Sequence, residues 1–273
     1  MQLRLLRHAT LDLEYGGRRL LVDPMLSPAG ALDPVANAAS SARIPLVELP
    51  LDQAELDAVI GRLDGVLVTH VHRDHWDTAA VARLPKALPI LAQPADADRF
   101  RQDGYSAVTP VAETTTWLGL AVARTGGRHG TGEIGERMGT VSGFVLRAPG
   151  EPTLYLAGDT IWCDEVERAI VSHRPDVIVV NAGAAQFLTG GPITMDAGDV
   201  AAVRAAAPRA LVVAVHFEAV NHCLLTRDVL RDELARRGLG ERVYLPADGE
   251  TLHFGEAAVD LAEGRSRLQP EGP

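Results

Sequence analysis

Residues 69–75 read Thr-His-Val-His-Arg-Asp-His, so four side chains able to ligate a metal (His70, His72, Asp74 and His75) fall within six residues. They follow directly on Gly-Val-Leu-Val at 65–68, a short apolar run of the kind that forms a buried strand. On extended backbone His70 and His72 point to the same side, whereas the adjacent Asp74 and His75 can be aimed at different targets by a turn. Imidazole nitrogen and carboxylate oxygen are the usual donors for Zn2+ and related ions. With nine histidines in 273 residues, three within six positions argue against coincidence. A chain built this way needs a rigid sheet whose edge presents these donors, and it needs further donors at the same edge.

Three more candidates stand in equivalent places. His129 follows the strand-like run 120–124 after the turn Gly126-Gly127-Arg128. Asp159 follows the run Thr-Leu-Tyr-Leu-Ala-Gly at 153–158, and His216 closes the run Ala-Leu-Val-Val-Ala-Val at 210–215. Loops leaving strand ends are where layered α/β proteins build sites, because the sheet holds the donors still.

The remaining patterning fits strands and helices in alternation. Runs at 3–6, 11–15 and 19–22 read as strands, with Gly16-Gly17 as a hairpin turn. The stretch 24–50 is rich in Pro, Ala and Ser and has no period, as expected of a lid or substrate loop. Helical spacing is expected over 51–63 with Asp52 as N-cap, and again over 78–84, 95–103, 164–173, 196–206 and 226–237. Strands are expected at 66–69, 89–92, 118–124, 140–147, 153–157, 177–181 and 211–215, and near Val243 and Leu252. This predicts an α/β layered architecture, with residues 1–263 as a single metallo-hydrolase domain and 264–273 as a polar tail. A chain of this length buries a large core without disulfides, and Cys163 and Cys223 read as free thiols in a reducing cytoplasm.

Charge and hydropathy exclude other classes. The formal net charge is −10 and Lys86 is the only lysine, so no cationic stripe suits a nucleic acid. No apolar run approaches the ~18 residues that cross a bilayer. The expected partner is a small-molecule substrate, with neither nucleic acid nor membrane. The oligomeric state is open, a homo-oligomer being one expectation.

The segment 69–75, together with His129, Gly158-Asp159-Thr160 and His216, resembles the metallo-β-lactamase superfamily over nearly the whole chain. The opening from Arg7-His8-Ala9-Thr10 to Val22-Asp23-Pro24, and Thr194-Met195-Asp196, are similar to the ascorbate-6-phosphate lactonase-like branch, although Arg7 stands where that branch often has Gly. The resemblance implies an αββα sandwich of two mixed sheets flanked by helices. It implies one metal on His70, His72 and His129, a second on Asp74, His75 and His216, and Asp159 bridging them. The cofactors would be two divalent ions, Zn2+ first, with Mn2+ or iron as alternatives. Antibiotic-hydrolysing members usually carry Cys at the position of Asp159, and diiron oxygen-reducing members carry Glu at that of His72; this chain does neither. The expected activity is hydrolysis of a lactone, an ester or amide, or a phosphodiester by a dimetal-activated hydroxide, with Asp74 orienting the hydroxide and shuttling its proton. The alternatives are an iron- or manganese-dependent oxidoreductase and a non-catalytic metal or ligand sensor on the same scaffold.

Around the ligands, Asp23 is either a support for a ligating imidazole or a plain Asp-Pro turn. His8 either faces the cleft or is structural. Asn221 and His222 either contact substrate or sit on a surface loop, and Arg128 could focus positive potential on an anion. Trp76 is expected to pack beneath the metal motif.

Overall fold

The computed structural model describes residues 1–255 and 259–261; the polar tail expected at 264–273 lies outside the described residues. The chain opens with an antiparallel meander of β1 (Gln2–Arg7), β2 (Thr10–Tyr15) and β3 (Arg18–Val22). Gly16 and Gly17 turn it at φ 57° and 70°, a backbone that favours glycine. After the loop 24–50 come α1 (Gln53–Ile60), β4 (Gly65–Val68), α2 (Thr78–Arg83), β5 (Ile90–Ala92), α3 (Ala97–Gln102) and β6 (Val108–Pro110). Asp52 caps α1 in a reciprocal box with Glu55, and Asp77 caps α2. The second half runs through β7 (Thr114–Trp117), β8 (Leu120–Thr125), α4 (Gly132–Met138), β9 (Gly143–Arg147), β10 (Leu154–Leu156), α5 (Asp164–His173), β11 (Val177–Asn181), α6 (Ala197–Ala206), β12 (Leu211–Val215), α7 (Arg227–Arg236) and β13 (Val243–Tyr244). β14 (Thr251–Phe254) and β15 (Val259–Leu261) then return to the first sheet.

The strand orders are β15-β14-β1-β2-β3-β4-β5-β6 and β13-β12-β11-β10-β9-β8-β7. Both sheets are mixed: β3 to β6 are parallel, as are β10 to β13, and the other pairs are antiparallel. Leu5, Leu13, Leu20 and Leu67 of one sheet meet Val122, Phe144, Leu156 and Val213 of the other in a single inter-sheet core. The opposite strand faces pack outward. Leu21, Val66 and Ile90 lie against Leu56, Ala80 and Phe100, while Ile178, Val180 and Val212 lie against Val166, Ile170, Val200 and Leu230. Central strands buried on both faces explain the unbroken apolar runs in the sequence. The layers are helix, sheet, sheet, helix, the αββα sandwich expected from the resemblance. Trp76 packs edge-on against Phe100 (centroids 4.9 Å) and Tyr105 (5.4 Å), beneath the metal motif as expected. Among the described residues no helix is long and apolar enough to cross a membrane.

Four elements were not foreseen: β6, β7, α4 and β15. β6 is a short edge strand ending in Pro110, and β7 is Thr-rich with only Trp117 buried, so neither carries an apolar alternation. The 126–138 segment, which reads as a glycine-rich loop, contains α4. That helix buries no side chain, and its Gly135 packs so closely on Gly130 that a Cβ there would lie 2.8 Å from the Gly130 carbonyl oxygen.

Candidate metal centre

Strand ends from both sheets converge on one edge of the sandwich. β4 delivers His70 and the turn after it; β8, β10, β11 and β12 deliver the segments carrying His129, Asp159, Asn181 and His216. The β1–β2 turn adds His8. Within the turn, the amides of His75 and Trp76 both donate to the His72 carbonyl (2.9 Å), which reverses the chain and separates His72 from His75. Gly158 sits at φ 69° with no room for a side chain, since a Cβ would lie 2.7 Å from the Ser142 carbonyl oxygen. His8 and His216 also adopt left-handed backbone, at φ 60° and 73°. Such conformations are uncommon for residues with side chains and cluster at functional sites.

The seven candidates form two adjoining groups. In the first, His72 Nδ1 lies 3.0 Å from His70 Nε2 and 3.3 Å from His129 Nε2. Two nitrogens bound tetrahedrally at 2.0–2.1 Å from one Zn2+ would be about 3.3 Å apart. The tautomers follow from the hydrogen bonds. The Thr69 hydroxyl donates to Asp23 Oδ2 (2.7 Å), because a carboxylate can only accept, so His70 Nδ1–H donates to Thr69 Oγ1 (3.1 Å). His129 Nδ1–H donates to the Ile193 carbonyl (2.7 Å). Burial and the neighbouring His75 hold His70 well below the usual imidazole range, and burial lowers His129. Both rings are neutral and turn lone pairs inward, as metal ligation requires.

The second group joins Asp74 Oδ2, His75 Nε2 and His216 Nε2. The carboxylate oxygen lies 3.7 Å from His75 and 3.6 Å from His216. Both imidazole nitrogens are buried without a hydrogen-bond partner. Asp159 stands between the groups: its Oδ2 is 3.5 Å from His129 Nε2 and 3.3 Å from His75 Nε2, and its Oδ1 is 3.3 Å from His216 Nε2. These contacts are close enough for charge attraction. Orphaned buried nitrogens facing carboxylate oxygens suit a cation, so the donor set fits two divalent ions.

The surrounding charge supports this. Burial works against charge on His75, but Asp159, Asp74 and Asp23 overcome it and hold the ring well above its ordinary pKa. His216 is held high chiefly by Asp159, also against burial. Burial would raise both carboxyls, yet His75 and His216 bring Asp74 and Asp159 well below the usual carboxylate range. The metal-free protein thus places two protons where cations would sit.

The flanking residues fall out unevenly. Asp23 accepts from the Thr69 amide (2.7 Å), the Thr69 hydroxyl (2.7 Å) and His75 Nδ1 (2.9 Å), supporting one imidazole of each group. His8 is fully buried against Asp74 and His216. The surface-loop alternative for Asn221 and His222 is overturned, because both are buried. Asn221 receives the Val35 amide (2.9 Å) and donates to the carbonyls of Val35 (3.0 Å) and Ser40 (2.5 Å), pinning the 24–50 loop. Arg128 is held by Glu165 (3.1 Å) and Asp164 (3.7 Å), so no anion-focusing role follows from its position. Sequence reasoning missed Asn181, whose Nδ2 donates to Asp159 Oδ1 (2.6 Å), and Arg7, which is fully buried and donates to the carbonyls of Met25, Ser27 and Val47. The only signal for Asn181 was one amide ending an apolar strand. Arg7 holds the same loop near its two ends, whereas Asn221 holds its middle.

Above the centre lies a cavity of about 520 Å³. His72, Asp74, His129 and Asp159 line it on the metal side, Val35, Val71, Ile134, Met138, Phe187 and Ile193 form apolar walls, and Arg73 and Arg137 contribute to the lining. His222 also lines it. Burial lowers that ring's pKa to about 4, so it is neutral at pH 7. Its Nδ1 is buried without a hydrogen-bond partner.

The model of the Beta-lactamase superfamily domain matches residues 18–217. The chain is similar to the UPF0173 protein YddR of Bacillus subtilis (strain 168), with 37% identity over 257 residues, covering 93% of this chain and 100% of that one. It is similar in structure to the isothiocyanate hydrolase from Delia radicum gut bacteria, with 35% identity, a TM-score of 0.87, and coverage of 93% and 99% of the two chains. A possible metal-dependent hydrolase from Veillonella parvula DSM 2008 gives 33% identity and a TM-score of 0.87, with coverage of 92% and 98%. The chain belongs to the beta-lactamase superfamily and, within it, to the UPF0173 metal-dependent hydrolases.

Proposed function

We propose that this chain is a dinuclear hydrolase acting on a compact, uncharged, largely apolar electrophile. The observation that carries the reading is a single arrangement: two donor groups flank the Asp159 carboxylate beneath a cavity whose walls are mainly apolar, with Arg73 and Arg137 also in the lining. His70, His72 and His129 would hold one ion, and Asp74, His75 and His216 the other. Zn2+ is the first expectation, with Mn2+ or iron as alternatives. Such ions, when bound, supply a water acidified from 15.7 toward ~7 and Lewis-acid polarisation of the substrate.

The chain's own residues do the rest. Asp74, whose Oδ2 faces the second group, lines the cavity and is placed to take and pass on the proton of the attacking water. The neutral His222 presents an N–H donor to a heteroatom of the substrate. Val35, Ile134, Met138 and Phe187 exclude water around its apolar part, and the 24–50 loop closes that side as a lid. A lactone, an ester or an amide fits this description. So does an isothiocyanate, the substrate class named for the relative at 35% identity. There water would add to the central carbon of R–N=C=S, and cleavage of the C–N bond would release an amine and carbonyl sulfide. A phosphodiester is the remaining alternative: Arg73 and Arg137 in the lining could meet its anionic oxygens, while the apolar residues favour the uncharged classes.

The test is a substrate panel on protein loaded with Zn2+ or Mn2+: phenethyl isothiocyanate, a γ-lactone, a p-nitrophenyl ester and bis(p-nitrophenyl) phosphate. Turnover of one or more uncharged substrates well above the phosphodiester is expected. Full metal occupancy with no turnover of any uncharged member would refute the reading.

A further inference from the structure

His8 falls in the same cluster of candidate ligand atoms as Asp74, His75 and His216, is completely buried, and reaches Asp74 and His216 in three ways. Its Nε2 lies 3.1 Å from Asp74 Oδ2. Its ring lies on that of His216, with centroids 3.6 Å apart and planes at 38°. Its carbonyl accepts the His216 amide at 2.8 Å. His8 and His216 both hold left-handed backbone, so the β1–β2 turn of one sheet and the β12 end of the other meet at this pair. His8 Nδ1 is buried and has no partner. An unpartnered N–H buried in protein costs more than an unpartnered lone pair facing apolar neighbours, so the proton sits on Nε2 and is donated to the carboxylate.

We infer that His8 is a positioning residue for the second ion. It fixes the Asp74 carboxylate by an N–H···O bond and holds the His216 ring by a tilted ring contact, and it does so from the first turn of the chain without itself ligating. This rests on the dinuclear reading above. Asp74 belongs to the turn between β4 and α2, and at 3.1 Å His8 Nε2 approaches Asp74 Oδ2 more closely than His216 Nε2 (3.6 Å) or His75 Nε2 (3.7 Å) does. Without His8 the carboxylate loses its shortest side-chain contact. The His70, His72 and His129 group makes no hydrogen bond to His8, so the first ion is indifferent to it. Groups that orient metal ligands typically carry 10–100-fold in affinity.

The experiment titrates Zn2+ into metal-free wild type, His8→Ala and His8→Gln against a chromogenic chelator, with circular dichroism melts of each metal-free protein. Wild type is expected to take two equivalents. His8→Ala should keep the first with wild-type affinity and bind the second about 10–100-fold more weakly. His8→Gln, whose amide reaches as far and donates as the imidazole does, should recover much of the second. Should His8→Ala fold poorly, His8→Gln alone decides: near-wild-type second-site affinity supports the inference, and loss of the second equivalent overturns it in favour of His8 as a ligand. Equal weakening of both equivalents, or a lowered melting point with both affinities unchanged, would make His8 merely structural and overturn it. A wild type that takes fewer than two equivalents would overturn the dinuclear reading itself, and this inference with it.

Discussion

Asp23→Asn is the substitution that should disturb both ion sites from outside either. The carboxylate accepts three bonds, two at 2.7 Å from Thr69 and one at 2.9 Å from His75. An asparagine whose Oδ1 keeps the Thr69 amide must turn an NH2 group toward the Thr69 hydroxyl and His75 Nδ1–H. Two donated bonds to a charged acceptor are then lost, at about 1.5–3 kcal/mol each. The hydroxyl can rotate to accept from the new amide, but its proton then faces His70 Nδ1 and moves the His70 proton to Nε2, the nitrogen beside His72. One atom change thus blocks a donor in the first group and unseats His75 in the second. The expected loss is about 10–100-fold in affinity at each site, or about 1.4–2.8 kcal/mol. Chelator competition reads both equivalents, and Thr69→Val is the control: it removes only the His70 relay and should weaken the first equivalent alone. Asp23→Asn protein binding both equivalents with wild-type affinity would refute the relay.

The remaining predictions use the same geometry. His75 and His216 are held well above the ordinary imidazole range, so both are imidazolium in the metal-free protein at neutral pH and must release protons on binding an ion. Affinity should therefore rise with pH, and calorimetry in buffers of different ionisation enthalpy should find about two protons released, one per ring; none released would contradict the charge assignment. In the metal-free fold the raised pKa of these rings stabilises fully below the unfolded value of ~6.5, and that contribution fades as pH rises through their folded values. Gly158→Ala forces a Cβ to within 2.7 Å of the Ser142 carbonyl at φ 69°; the left-handed backbone alone costs about 1–2 kcal/mol, so the melting temperature should fall and both equivalents should bind more weakly through the shifted Asp159. Asn221→Ala removes three bonds to residues 35 and 40, and limited proteolysis should cut 24–50 faster while KM rises more than kcat falls; unchanged cleavage would free Asn221 from its loop-pinning role.

The layered fold was legible because its central strands are buried on both faces and appear as unbroken apolar runs bounded by glycine or polar turns. The donors were legible for a related reason, since ligands on strand ends stand where such a run stops, as His216 does after residues 210–215. β6, β7 and α4 were not, because an edge strand with one buried residue and a helix with none leave no periodicity. Asn181, Arg7 and the loop role of Asn221 were invisible for a different reason. Their meaning lies in partners 22, 40 and 186 residues away in sequence, and only the folded chain brings those together. His8 stood between two readings because a buried histidine and a cleft histidine look the same until the two sheets meet.

The central claim is that seven side chains from both sheets hold two cations side by side. The most direct measurement is a crystal of the Zn2+-loaded protein with anomalous data at the zinc edge, together with elemental analysis of the same sample. The account predicts two ions per chain, one among His70, His72 and His129 and the other among Asp74, His75 and His216, with Asp159 reaching both. A single ion, or a pair bound elsewhere while these nitrogens and oxygens remain as they are, would contradict it.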